Sequence, residues 1–124
     1  MPELASLPFA AELTRLPKRS LSAGLTAEFD PWLRARPHVR EWVVVGDCTD
    51  LCVYQEAMYL KLRANEEKLP FQVTVPAALV DTYDLPVTTA ERLGAMPHDG
   101  DLMHRLFLYH MALNGIRVVR DLQW

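Results

Sequence analysis

Trp42-Val43-Val44-Val45-Gly46 is a continuous apolar run, rich in β-branched residues and closed by a glycine. A run without polar alternation predicts a strand buried on both faces, and such strands occur almost only in parallel sheets covered by helices. Directly after it, Thr49 or Asp50 is placed to cap a helix carrying Leu51, Val53, Ala57, Leu60 and Leu62 to about Asn65. Strand, tight turn and helix in that order are the first half of a β-α-β crossover, which is right-handed.

The rest of the chain extends the pattern. Residues 1–24 carry Pro2, Pro8, Pro17 and Gly24 and predict an irregular segment with a short helical turn near Phe9 to Leu13. A short helix with Thr26 as N-cap runs to Leu33, before Pro37. Phe71-Gln72-Val73-Thr74-Val75 alternates and ends at Pro76, as a second strand would. Residues 77–84 read as a connection. Thr88 to Gly94 predicts a short helix, Asp99 or Gly100 opens a longer one, and Asn114-Gly115 ends it before a last strand from Ile116 to Val119.

The expected class is α/β, a mostly parallel sheet with helices on both faces. Residues 1–24 form an irregular lead, and residues 25–124 carry the alternating elements. Three legible strands are thin for a doubly wound sheet. The chain therefore reads as an unusually small domain or as the later part of a larger one.

Composition narrows the function classes. The 124 residues are 50% hydrophobic and 23% charged, as in a globular domain, with a formal net charge of -3. Without a basic patch, nucleic acid is not expected as a partner. No apolar stretch reaches the roughly 18 residues that span a bilayer, and Met1-Pro2-Glu3 does not open a signal peptide, so a cytoplasmic protein is expected. In a reducing compartment, Cys48 and Cys52 are better read as reactive thiols than as a disulfide.

In open parallel sheets, ligands bind beyond the carboxyl ends of the strands, which is where Gly46 to Val53 falls. A cysteine in the first turn of a helix faces free N–H groups and the positive end of the helix dipole, both of which favour a thiolate. Cys52 is thus a candidate nucleophile toward a carbonyl, and the same N–H groups could hold the resulting oxyanion. The competing reading is that both cysteines are small buried hydrophobes.

The stretch Val43-Val44-Val45-Gly46-Asp47-Cys48-Thr49-Asp50-Leu51-Cys52-Val53 resembles the signature of the isochorismatase-like hydrolases, the superfamily that includes nicotinamidase. The resemblance implies that Cys52 is the nucleophile and that Asp47 and Cys48 are joined by a cis peptide. It also implies that the backbone N–H groups of Cys48 and Cys52 form the oxyanion hole. Leu16-Pro17-Lys18-Arg19-Ser20-Leu21-Ser22-Ala23 resembles the family's lysine segment and puts Lys18 in the role of a buried cation beside Cys52. The implied substrate is a small amide, cleaved through a thioester.

The family's third catalytic residue, an aspartate ending its first strand, has no counterpart in residues 1–17. The general base is therefore missing, and the resemblance covers roughly Leu16 to Trp124, the C-terminal part of the usual domain. Impaired catalysis, or a non-catalytic binding or assembly role, follows as an expectation, as does homo-oligomerisation through uncovered apolar surface. No metal site is transferred, since the family's metal ligands belong to the portion without a counterpart. His104 and His110 are six residues apart and lack the spacing of a helical zinc pair, so neither metal nor other cofactor is expected. Met103, Phe107 and Met111 read as a core stripe, Glu66, Glu67 and Lys68 as a solvated helix end, and Asp81-Thr82-Tyr83-Asp84 as a loop at the rim of the site.

Overall fold

The computed structural model describes residues 6–122, so the first five positions and the final two, which belong to the expected 1–24 and 25–124 segments, lie outside the described residues. The strands are β1 (Glu41–Val43), β2 (Gly46–Asp47), β3 (Gln72–Pro76), β4 (Val80–Asp81) and β5 (Arg117–Val119). The α-helices are α1 (Phe29–Arg34), α2 (Tyr54–Glu67), α3 (Val87–Leu93) and α4 (Gly100–Leu113). A parallel sheet in the order β1-β3-β5 sets Trp42 opposite Val73 and Val75 opposite Val118. A second parallel pair joins β2 to β4, with Gly46 opposite Val80. No helix among the described residues is long and apolar enough to cross a membrane.

The central strand β3 is the apolar heart of the sheet: Val73, Thr74 and Val75 are all buried. Val53, just before α2, and Ala57, Leu60 and Ala64 within it recur at helical spacing and are buried. The first three join Val73, Val75, Met111 and Ile116 in the core, which Phe29 and Leu33 of α1 close at one side. Helices α2 and α4 pack on the sheet and on each other. On the opposite face Glu41 and Arg117 are exposed and joined by a 3.3 Å ion pair.

The single strand expected from Trp42 to Gly46, buried on both sides, is corrected. After β1 the Val44 N–H still donates to Thr74 O, but the chain then leaves that sheet. Gly46, at a φ of 117° that a β-branched residue rarely adopts, lets it join β4 instead. Val43 and Val45 are 42% and 52% exposed, so one side of the valine run is open. The expected 77–84 connection contains a 3-10 turn, Ala77–Leu79, and the whole of β4. Two-residue strands carry too little periodicity to stand out in a sequence.

Other boundaries move for local reasons. The helix expected from Thr26 begins at Phe29, because the Thr26 hydroxyl donates to Ala23 O and closes the 3-10 turn Ala23–Leu25. Glu67, read as solvated, accepts from Arg34 and Arg63, and Arg63 also pairs with Asp30. By contrast, Gly94 caps α3 in the left-handed region, and the Asp99 carboxylate accepts from Leu102 N at the start of α4, as the sequence predicts. The expected core stripe on α4 is deepest at Met111, fully buried, with Met103 and Phe107 half-buried.

Candidate active site

The segment after β2 does not enter α2 through an ordinary capped turn. Asp47 and Cys48 are joined by a cis peptide, and Thr49–Val53 forms a π-type turn that runs straight into α2. The Cys48 carbonyl accepts from both Leu51 N and Val53 N at 3.1 Å. Neither Thr49 nor Asp50 caps a helix, contrary to expectation, because both side chains are buried against distant parts of the chain. Thr49 Oγ1 meets His104 Nδ1 of α4 at 2.9 Å. Asp50 accepts from Thr82 Oγ1 at 2.6 Å and from His98 Nε2 at 2.7 Å.

This anchoring leaves Cys52 half-buried, at the carboxyl end of the strands and two residues before α2. Lys18 comes to it from the other side of the chain. Its Nζ donates to Ser20 O at 2.9 Å, to Leu21 O at 3.1 Å and to Cys52 Sγ at 3.4 Å. An ammonium has three N–H donors, so these three acceptors occupy it fully. The structure thus brings Lys18 and Cys52 together, although they are far apart in sequence. Lys18 is exposed, however, which corrects the expectation of a buried cation. No carboxylate among the described residues forms an ion pair or hydrogen bond with Lys18 or Cys52. Cys48 is a second free, half-buried thiol, and Asp47 is exposed.

His98, which the sequence did not single out, ties the site together. Besides Asp50, its Nδ1 contacts Tyr83 O at 2.8 Å, and its ring stacks on Tyr83 at 4.0 Å. Leu85 and His98 also exchange backbone hydrogen bonds. The hydrogen bond to Asp50 is the leading cause of an imidazole pKa raised above its ordinary value; burial opposes it and the Tyr83 carbonyl adds to it. For Asp50, burial pushes the carboxyl up, but hydrogen bonds from Thr82 and His98 outweigh it and hold the group below the usual carboxylate range. His98 lies 48 residues from Asp50, and no spacing in the sequence signals that pairing. Of the loop 81–84, Thr82 and Tyr83 belong to this network, and Asp84 Oδ1 accepts from Gly100 N.

Beside this network a polar depression of about 530 Å³ is lined by Asp81, Thr82, Asp84, Asp99 and His104, among others. A more apolar cavity of about 240 Å³ lies against Leu33, Trp42 and Phe71, and neither Cys52 nor Lys18 lines it. No group of three or more His, Cys, Asp or Glu side chains among the described residues is arranged to hold a metal ion.

Fold and site together define a parallel α/β domain whose thiol and ammonium meet at the carboxyl end of its strands. The chain is 33% identical over 99 residues to Nicotinamidase 1 of Arabidopsis thaliana, a match covering 77% of this chain and 40% of that protein. In structure it resembles the nicotinamidase SaPncA from Staphylococcus aureus, with a TM-score of 0.60 and 22% identity, over 85% of this chain and 52% of that one. The nicotinamidase PncA from Bacillus subtilis gives a TM-score of 0.57 and 22% identity, over 82% and 44% of the two chains. No protein-family model matches the chain. The chain belongs to the isochorismatase-like superfamily of hydrolases that includes the nicotinamidases. It spans 40% of the length of the curated relative it matches.

Proposed function

We propose that the chain carries the thiol half of an isochorismatase-like cysteine hydrolase acting on a small amide. The observation that carries this reading is the 3.4 Å approach of Lys18 Nζ to Cys52 Sγ. A cation at that distance favours a thiolate over a thiol. The Cys52 sulfur attacks the amide carbonyl carbon, forming a carbon–sulfur bond while the carbonyl electrons move to oxygen. Collapse of that adduct breaks the carbon–nitrogen bond, the amine leaves carrying the proton that the thiol gave up on becoming a thiolate, and a thioester remains. Water then cleaves the thioester, releasing the acid and restoring the thiol. The Leu51 and Val53 amides are engaged by the Cys48 carbonyl. The proposed oxyanion donors are the amides of Cys48 and Cys52, as the resemblance to the family implies.

Both proton transfers call for a base, and no carboxylate among the described residues contacts the pair. The proposed activity is accordingly slow, since losing a general base costs about a hundredfold to ten-thousandfold. The same observation favours the second reading, a chain that binds or assembles without turning over. A cytoplasmic location, with both cysteines free, and self-association through exposed apolar residues of α4 belong to the same proposal. The test is release of ammonia from nicotinamide and other small primary amides. Slow release that disappears in Cys52→Ala supports the hydrolase. Release that persists in Cys52→Ala refutes the thiol mechanism, and no release from any amide leaves the non-catalytic reading.

A further inference from the structure

Glu56 lies four residues after Cys52, one turn further along the same side of the chain. Its carboxylate pairs with no basic side chain among the described residues. Instead Oε2 accepts from Ala23 N at 2.8 Å and from Ser22 Oγ at 3.2 Å, while Oε1 is buried with no hydrogen-bond partner among the described residues. A carboxylate placed in this way carries a desolvation cost. The Thr-Asp and Cys-Val positions of the signature do not account for it.

The segment it grips is the one that holds Lys18. Ser20 Oγ donates to Ser22 O, and Gly24 N donates to Ser22 Oγ, so residues 20–24 form a single hydrogen-bonded turn. The carbonyls of Ser20 and Leu21, on the same turn, accept from Lys18 Nζ. An exposed lysine loses much rotamer entropy when it is held in one place, so it stays at one sulfur only where its other acceptors are fixed. Hydrogen bonds to a charged carboxylate are among the stronger ones available for fixing a turn.

We propose that Glu56 is a positioning residue: it locks the 20–24 turn onto α2 so that the Lys18 ammonium is held against Cys52. This deepens, and rests on, the reading of Lys18 and Cys52 as a working pair. Glu56 acts through Lys18, and not through its own charge. The two routes have opposite signs. A negative charge acting directly on the sulfur would disfavour the thiolate and slow its reactions, whereas a held ammonium speeds them.

The test is the rate of iodoacetamide alkylation of Cys52 at pH 7, followed by peptide mass spectrometry, with thermal unfolding recorded for every variant. Glu56→Ala frees the turn and is expected to slow alkylation about threefold to tenfold. Lys18→Met is expected to slow it at least as much, and the double variant no further than Lys18→Met. Glu56→Gln keeps an acceptor for Ala23 and Ser22, weaker for want of the charge, and is expected to alkylate faster than Glu56→Ala but no faster than wild type. If Glu56→Ala does not fold, Glu56→Gln and Ser22→Ala decide the matter, the latter slowing alkylation about twofold. Alkylation in Glu56→Gln faster than in wild type shows direct action of the charge and overturns the proposal. So does an unchanged rate in Glu56→Ala, or in Ser22→Ala if that variant has to stand in, while Lys18→Met is slow. A wild-type rate in Lys18→Met overturns the underlying reading of Lys18, and this proposal with it.

Discussion

Replacing His98 with alanine removes a partner from a buried carboxylate, and the cost can be worked from the surroundings of Asp50. The Asp50 side chain is 5% exposed and that of His98 11%. Both ring nitrogens of His98 face acceptors, Asp50 Oδ2 and Tyr83 O, so the protonated ring satisfies both, in keeping with the raised pKa. Breaking a buried pair by deleting one partner costs roughly 3 to 5 kcal/mol. Thr82 still donates to Asp50 in the variant, which puts the expected loss near the bottom of that range, about 3 kcal/mol. A domain of this size has only about 5 to 15 kcal/mol of stability in total.

The pH dependence of that loss follows from the two shifts. His98 is raised, so its contribution is complete below its unfolded value of 6.5 and fades as pH rises through the higher folded value. Asp50 is lowered, so its contribution is complete above its unfolded value of 3.8 and fades as pH falls through the lower folded value. The pair therefore contributes fully between those two unfolded values. Urea unfolding at pH 5.5 and pH 9 is the assay. His98→Ala is expected to lose about 3 kcal/mol at pH 5.5 and distinctly less at pH 9, where only stacking on Tyr83 and residual hydrogen bonding remain to be lost. An equal loss at both pH values, or a loss at pH 5.5 under about 1 kcal/mol, refutes the imidazolium clamp.

Two further outcomes are expected. Met111 is fully buried in the core cluster that also holds Ala57, Leu60, Val73 and Val75, so Met111→Ala is expected to cost about 2 to 5 kcal/mol in urea unfolding, and a loss below about 1 kcal/mol would contradict its place in the core. Leu102, Leu106, Tyr109 and Leu113 follow one another at helical spacing on α4 and are 49% to 64% exposed. Sedimentation at micromolar concentration is expected to find oligomers, and a monodisperse monomer would contradict that.

The sequence was most readable where one residue type does one physical job. Gly94 and Asp99 bound their helices because a left-handed cap and a side-chain acceptor are local requirements. Val73 and Val75 mark the central strand because their alternation with Gln72 and Thr74 has the period of two that a strand requires. The valine run misled for a related reason. Its composition suits burial, but Gly46 turns the chain into a second sheet and leaves Val43 and Val45 partly open. At the site, Lys18 and Cys52 stood out through their motifs. Thr49 and Asp50 were read as caps because their types suit that role locally, whereas their partners, His104, His98 and Thr82, come from 32 to 55 residues away. Such long-range pairings leave no spacing to read. Glu56 was equally silent, since a glutamate on a helix ordinarily signals only a solvated face.

The central claim is that Cys52, held beside Lys18, is the reactive thiol, and competitive alkylation tests it most directly. The folded protein is treated with substoichiometric iodoacetamide at pH 7, and the adducts on Cys48 and Cys52 are quantified by peptide mass spectrometry. Both thiols are half-buried, so exposure alone gives neither a marked advantage. The contact with Lys18 belongs to Cys52. The account predicts that Cys52 is labelled first and that Lys18→Met erases most of its lead. Preferential labelling of Cys48, or a lead of Cys52 that Lys18→Met leaves untouched, would contradict it.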